Sequence, residues 1–217
     1  MRRYDCLVET DRANGVHMAI AAARRHQLVV LPTDTVYAVA CDAFSGPAVA
    51  ALEAAKERVG GPSLPVMVGA PSTLDGLVMG VSAQGRALVQ AFWPGALTVV
   101  CEQQPSLVWD IGSSDEVAVR MPLHPLALEV LRGVGPMVVI TANRSAGPAP
   151  LTCGAAHEQL GDQVEVYLDG GPMAPVAPSS IVDLTGLRPV LLREGSLGAD
   201  LLRSVAPDLS TPDEEPS

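Results

Sequence analysis

A series of short apolar runs, each too brief for a helix, restricts this chain more than any other feature. They cover Leu28–Leu31, Pro65–Val68, Ala96–Cys101, Val117–Arg120, Val138–Thr141, Val164–Leu168, Ser180–Leu184 and Val190–Arg193. Nearly continuous apolar runs of this length predict strands buried on both faces. Between them, Asn14–His26, Pro47–Lys56, Ser82–Phe92, Leu123–Leu131, Thr152–Leu160 and a short stretch from Leu197 read as helices. Asp11 or Asn14 is expected to cap the first helix, and Pro47 to open the second. Strands and helices that alternate in this way predict a layered α/β domain. With no internal repeat and no dividing linker, the expectation is one domain over 1–205 and a disordered acidic tail over 206–217.

Charge and motifs then remove several classes of function. The net charge of −10 opposes tight, direct nucleic-acid binding, which needs a dense basic face. No run approaches the roughly 20 apolar residues of a membrane span, and the opening MRRYDCLVETDR lacks the apolar centre of a secretory signal, so a cytoplasmic address without membrane attachment is expected. Cys6, Cys41, Cys101 and Cys153 are widely spaced and read as buried free thiols rather than zinc ligands. The chain contains no G-x-x-x-x-G-K-[ST], G-x-G-x-x-G or G-x-S-x-G, which weakens the common ATPase, dehydrogenase and hydrolase readings.

The cations are scarce and placed with a pattern. Of the 14 basic residues, Lys56 is the sole lysine. It stands with Arg58 where a helix should end, and a point charge beside a planar fork suits a phosphate or carboxylate. Compensation of the helix dipole would explain the same placement. Thr33-Asp34-Thr35 and Thr141-Ala142-Asn143-Arg144-Ser145 each follow an apolar run, Ser179-Ser180 precedes one, and Arg193 closes another. Such loops at strand ends are where open α/β sheets bind ligands, although ordinary turn chemistry favours the same residues.

With those residues in place, the sequence resembles the threonylcarbamoyl-adenylate synthases of the YrdC/Sua5-like family. The likeness runs from about Ala13 to Leu202 through Pro32-Thr33-Asp34-Thr35-Val36-Tyr37, Lys56-x-Arg58, Phe92-Trp93-Pro94-Gly95-Ala96-Leu97-Thr98, Val119-Arg120-Met121-Pro122, Thr141-Ala142-Asn143-Arg144-Ser145 and Ser179-Ser180-Ile181-Val182-Asp183. The chain resembles the short form, without the additional C-terminal domain. The resemblance implies a twisted mixed sheet flanked by helices, with a large concave pocket. It also implies a reaction of L-threonine, bicarbonate and ATP that yields threonylcarbamoyl-AMP and pyrophosphate, with Mg2+ accompanying ATP and a downstream threonylcarbamoyl-transferase complex receiving the product for tRNA modification.

By motif position, the resemblance assigns Thr35, Arg120 and Ser179 to threonine. It assigns Lys56, Arg58, Thr141, Asn143 and Arg193 to ATP, with Lys56 and Arg58 as the catalytic cations, and it leaves the magnesium ligands unassigned. The chain departs from the family pattern at Ala38, over Val59–Pro65 and at Glu116. Those departures support an alternative, a paralogue that applies the same adenylate-forming chemistry to another amino acid or pathway. A non-catalytic nucleotide- or RNA-binding regulator is the third reading, opposed by the acidic balance and by the retention of Lys56, Arg58 and Asn143.

Overall fold

The computed structural model describes residues 1–58 and 60–212. Strand β1 (Arg2–Asp5) leads into α1 (Glu9–Arg24), and β2 (Val29–Pro32) turns back through residues 33–36 into β3 (Tyr37–Asp42). Then come α2 (Gly46–Ala55), β4 (Val66–Met67), α3 (Leu74–Leu77), α4 (Ala83–Phe92), β5 (Leu97–Glu102), β6 (Glu116–Arg120), α5 (Pro125–Val134) and β7 (Met137–Thr141). Helix α6 (Cys153–Leu160), β8 (Val166–Asp169), β9 (Ser180–Asp183), β10 (Val190–Arg193) and α7 (Ala199–Arg203) follow.

The strands form one mixed sheet in the order β1-β8-β2-β3-β7-β4-β6-β5-β9-β10. Its parallel pairs are β1–β8, β2–β8, β4–β6 and β5–β9, and the other neighbours run antiparallel. Because successive side chains on a strand point to opposite faces, β2 and β3 feed two separate cores. Val29, Leu31, Ala38 and Ala40 join the layer of α1 and α5, including Ala19, Ala23, Leu126 and Val130. Val30, Tyr37, Val39 and Cys41 join the opposite core with Leu52, Ala55, Leu88 and Leu160. All four cysteines are free and buried, as expected.

Helix α2 shows how the sequence places a functional residue. Ser45 accepts the Ala48 N–H at 3.2 Å as N-cap, and Pro47 stands in the first turn, where its missing N–H costs nothing. Ala48, Val49, Leu52 and Ala55 bury one face against the sheet. Replacing the fully buried Leu52 by alanine would cost about 2–5 kcal/mol. The helix ends with Lys56 as C-cap.

Several expectations need correction. The sequence pattern predicts neither β1 nor β3. Tyr37–Asp42 is almost wholly buried, yet it follows β2 so closely that the sequence reads as an exit loop. Arg2, Arg3 and Asp5 give β1 no apolar pattern; it is an exposed edge, held by its ladder to β8 and by the Arg3–Asp169 ion pair. Helix α1 begins at Glu9 with an N-cap, Val8, that offers no side-chain bond, so Asp11 and Asn14 lie inside the helix. Glu9 and Asp11 instead offset the dipole of the first turn. Gly15 in that helix permits its close approach to β1, since a Cβ there would lie 2.8 Å from Tyr4 Cβ.

The disordered tail expected from residue 206 does not begin there. Ala206 is fully buried and Leu209 is 4% exposed. The Ser210 N–H donates to Pro189 O, and the Leu191 N–H donates to Ser210 O. Apolar burial therefore carries the fold past 205. The acidic end, 213–217, lies outside the described residues, as does Val59.

Candidate active site

The turn between β2 and β3 is built by one hydroxyl. Thr33 Oγ1 accepts from the Thr35 and Val36 N–H groups and donates to Val36 O at 2.7 Å. That donation uses the hydroxyl's single hydrogen. Thr35 Oγ1 lies 3.1 Å from Thr33 Oγ1, whose one hydrogen and two lone pairs are already engaged, so the Thr35 hydroxyl stays free to donate or accept. Thr35 is 9% exposed, and its own lone pairs remain.

From this turn Asp34 reaches Arg120 at the end of β6, with Nη2 donating to Asp34 Oδ2 at 2.6 Å. Arg120 Nε donates to Gly95 O at 3.0 Å. The residue is only 6% exposed; burial lowers its pKa, and the Asp34 carboxylate opposes that shift. These bonds occupy two of the five N–H donors of a guanidinium. Ser179 shares a 2.9 Å hydroxyl contact with Thr98, and both are buried. Arg193 donates to Ser179 O through Nε and Nη2, at 3.1 and 2.7 Å, with a longer 3.3 Å contact to Ser179 Oγ. Its charge also acts on Arg120.

A second group surrounds Lys56, also 6% exposed. Its Nζ donates to Thr141 O at 2.5 Å, Asn143 O at 2.6 Å and Asn143 Oδ1 at 3.1 Å. In return, Lys56 O accepts from Ser145 N and Oγ. All three acceptors on the ammonium are carbonyl oxygens, so its charge is solvated by the loop rather than cancelled by an acid. Burial, then the neighbouring Arg58, brings the Lys56 pKa down to about 8. Between the two cations, Glu57 takes a left-handed φ of 54°. Arg58 turns back to Glu53, 2.6 Å away, and to Pro62 O. Asn143 Nδ2 donates to Gly147 O at 2.7 Å, and a cavity of about 560 Å³ adjoins that loop, lined by Arg144, Ser145, Gly147 and Gln159 among others.

Both groups adjoin the same end of the β3–β7 pair. Ala38 faces Thr141 across the ladder, and the Ala142 N–H donates to Tyr37 O. The structure thus brings Thr35, Arg120 and Ser179 into one neighbourhood and Lys56, Thr141 and Asn143 into another. Arg193, grouped by sequence with the nucleotide residues, is bonded to Ser179. Glu116 is exposed and faces Glu102 across the β5–β6 ladder. Asp34 and Thr98 have no role in the sequence reading although both lie inside motifs; their signal is a carboxylate between two threonines in a turn and a hydroxyl between apolar residues of a strand.

The chemistry on offer is the binding of an anionic, hydrogen-bonding ligand by Arg120, Ser179 and Arg193, beside a second cationic loop. Proteins similar to this chain point the same way. The Sua5/YciO/YrdC family model, described as telomere recombination, matches residues 21–195. A Mycobacterium tuberculosis protein, named as a candidate threonylcarbamoyl-AMP synthase, is 48% identical over 203 residues, 93% of this chain and 94% of that protein. A Klebsiella pneumoniae threonylcarbamoyl-AMP synthase is 31% identical over 188 residues, 84% of this chain and 97% of the relative. The solved structure of Pyrococcus abyssi Sua5 complexed with L-threonine superposes with a TM-score of 0.84 at 31% identity, covering 90% of this chain. This chain spans 58% of that longer protein.

Proposed function

The chain belongs to the Sua5/YciO/YrdC family, and on that premise we propose that it is a nucleotidyltransferase that makes L-threonylcarbamoyladenylate. Its substrates are L-threonine, bicarbonate and ATP, its second product is pyrophosphate, and the adenylate serves N6-threonylcarbamoyladenosine formation in tRNA. The observation that carries this reading is Arg120, a buried guanidinium that is ion-paired to Asp34 and still has donors for a second anion.

In this reading Arg120 takes the threonine carboxylate, with the Thr35 and Ser179 hydroxyls completing the subsite. The amine attacks the bicarbonate carbon, water leaves, and a carbamate forms. A carbamate oxygen then attacks the α-phosphorus of ATP and expels pyrophosphate. Negative charge builds on the phosphoryl oxygens and on the leaving group, so fixed cations stabilise the transition state without a covalent nucleophile. Lys56, Arg58, Thr141 and Asn143 hold the nucleotide, and Arg193 faces it from the amino-acid side.

Lys56 can meet a phosphate oxygen by giving up its longest bond, the one to Asn143 Oδ1 at 3.1 Å, while both backbone carbonyls keep it in place. Magnesium enters as part of the nucleotide substrate and neutralises triphosphate charge. We place the reaction in the cytoplasm, with the labile adenylate passed to a separate transferase complex; no helix among the described residues is long and apolar enough to cross a membrane.

The deciding experiment incubates the protein with ATP, bicarbonate and each amino acid in turn, and reads adenylate products by mass. Threonylcarbamoyl-AMP as the dominant product is the expected result. A dominant product from another amino acid would establish the paralogue reading, and no adenylate at all would leave only a binding role.

A further inference from the structure

Asp34 carries an acceptor that the fold leaves unused. Its side chain is 14% exposed and Oδ2 is committed to Arg120, yet Oδ1 is buried with no hydrogen-bond partner. A buried carboxylate oxygen without a donor is costly, and native structures rarely leave one so. The adjoining Thr35 hydroxyl, 3.1 Å from Thr33 Oγ1, has lone pairs to offer as well. The β2–β3 turn therefore carries two oxygens with accepting capacity on adjacent residues.

The charges around the turn are divided to match. Arg193 acts on Arg120, and the Asp34 carboxylate, ion-paired to Arg120, also acts on His124. His124 Nδ1 is itself buried without a partner. Arg12 also acts on His124, but its guanidinium is paired to Glu129. An arrangement that is cationic at one end and accepting at the other fits a zwitterion, whose carboxylate meets the guanidinium and whose ammonium meets the carboxylate.

We propose that Asp34 is a substrate-binding residue, receiving the α-ammonium group of the amino acid on Oδ1, with Thr35 Oγ1 as second acceptor, while Arg120 holds that amino acid's carboxylate. The inference rests on the functional reading above and extends it, because Asp34 then selects for an amine and is more than the anchor of Arg120. The contact also has a direction. Carbamate formation releases one ammonium proton to solvent and a second with the departing water, which removes the charge and leaves a single N–H donor, so Asp34 grips threonine more firmly than the carbamate, and its hold relaxes as the reaction advances.

The test compares L-threonine with (R)-3-hydroxybutanoate, the same molecule without its amine, by calorimetric titration of the full-length protein and of Asp34→Asn. The amide oxygen in the variant can still accept from Arg120, while its NH2 group faces the amine. Wild type should prefer threonine by at least about 30-fold, as expected for a charged hydrogen bond, and in Asp34→Asn the preference should fall to within about 3-fold. If both ligands weaken together and the ratio persists, Asp34 merely positions Arg120, or a buried water serves Oδ1, and the proposal is overturned. Equal affinity of the two ligands for wild type overturns it without any variant, so a misfolded Asp34→Asn would not shelter it. Failure of wild type to bind threonine at all would remove the functional reading, a result distinct from threonine binding with an unchanged ratio.

Discussion

Arg120 and Lys56 are equally buried, each 6% exposed, but the fold treats them in opposite ways. Arg120 is paired with a carboxylate and keeps spare donors. Lys56 keeps its charge unpaired and has all three donors taken by carbonyl oxygens. The first arrangement is ready for a ligand as it stands, since planar guanidinium can serve two anions at once. The second must exchange a partner before it can touch one, and until then it holds the 141–145 loop in shape. Burial alone therefore does not tell a cation that can bind at once from one that must first exchange a partner; the count of uncommitted donors does.

Exchanging the two kinds of cation is the severest test of that contrast. Arg120→Lys preserves a charge for Asp34 but loses the fork, and kcat/KM for threonine should fall about 1000-fold, mostly through KM, as two charged hydrogen bonds are lost. Initial-rate kinetics with varied threonine will show it, and an unchanged KM would mean that Arg120 does not hold the amino acid.

Lys56→Ala should lower turnover by at least about 100-fold with folding intact, as for a lost transition-state charge. The pH profile sharpens the assignment. With its pKa brought down to about 8 by burial and Arg58, the ammonium of the free protein is present below that pH and is lost as pH rises through it, so kcat/KM for ATP should decline above about pH 8. Stability should move the other way. The unfolded chain, with the ordinary value of 10.5, binds the proton more strongly in the window between the two values, so the group's contribution to stability rises with pH there. Lys56→Arg should remove the limb; a limb that persists belongs to another group.

The smallest effect separates support from contact. Ser45→Ala deletes the N-cap of the helix that carries Lys56 and should cost about 1 kcal/mol, a melting shift of roughly 2–4 °C for a chain of this size. Calorimetric threonine binding should not change, because Arg120 stands on β6. A parallel loss of threonine affinity would show the two regions to be coupled.

How much of this could be read beforehand depended on whether the signal was local. Pro47, the alanine-rich stretch and Lys56 at its end are consecutive, so the helix and its terminal cation were legible. The hydroxyl turn at Thr33–Thr35 was visible as polar residues between apolar ones, but its return into β3 was not, since Tyr37–Asp42 lacks the alternation that marks a half-exposed strand. The pairing of Asp34 with Arg120 joins residues 86 positions apart, and no spacing rule reports such a contact. The same holds for Arg193 and Ser179, which the sequence distributed between two ligands and the structure bonds together. The saturation of Lys56 was likewise hidden, because its partners are mostly backbone carbonyls, which every residue possesses.

The two margins of the sheet have a consequence for how molecules of this protein meet. At one margin, β1 offers its unpaired backbone among Arg2, Arg3 and Asp5; at the other, β10 is partly sealed by the bridge from Ser210 to Val190. Charge at one rim and a folded-back segment at the other deny a foreign strand its template. Crowded copies in concentrated solution are thereby kept from zipping into ribbons, and removing the segment after Ala206 would open one rim to such growth.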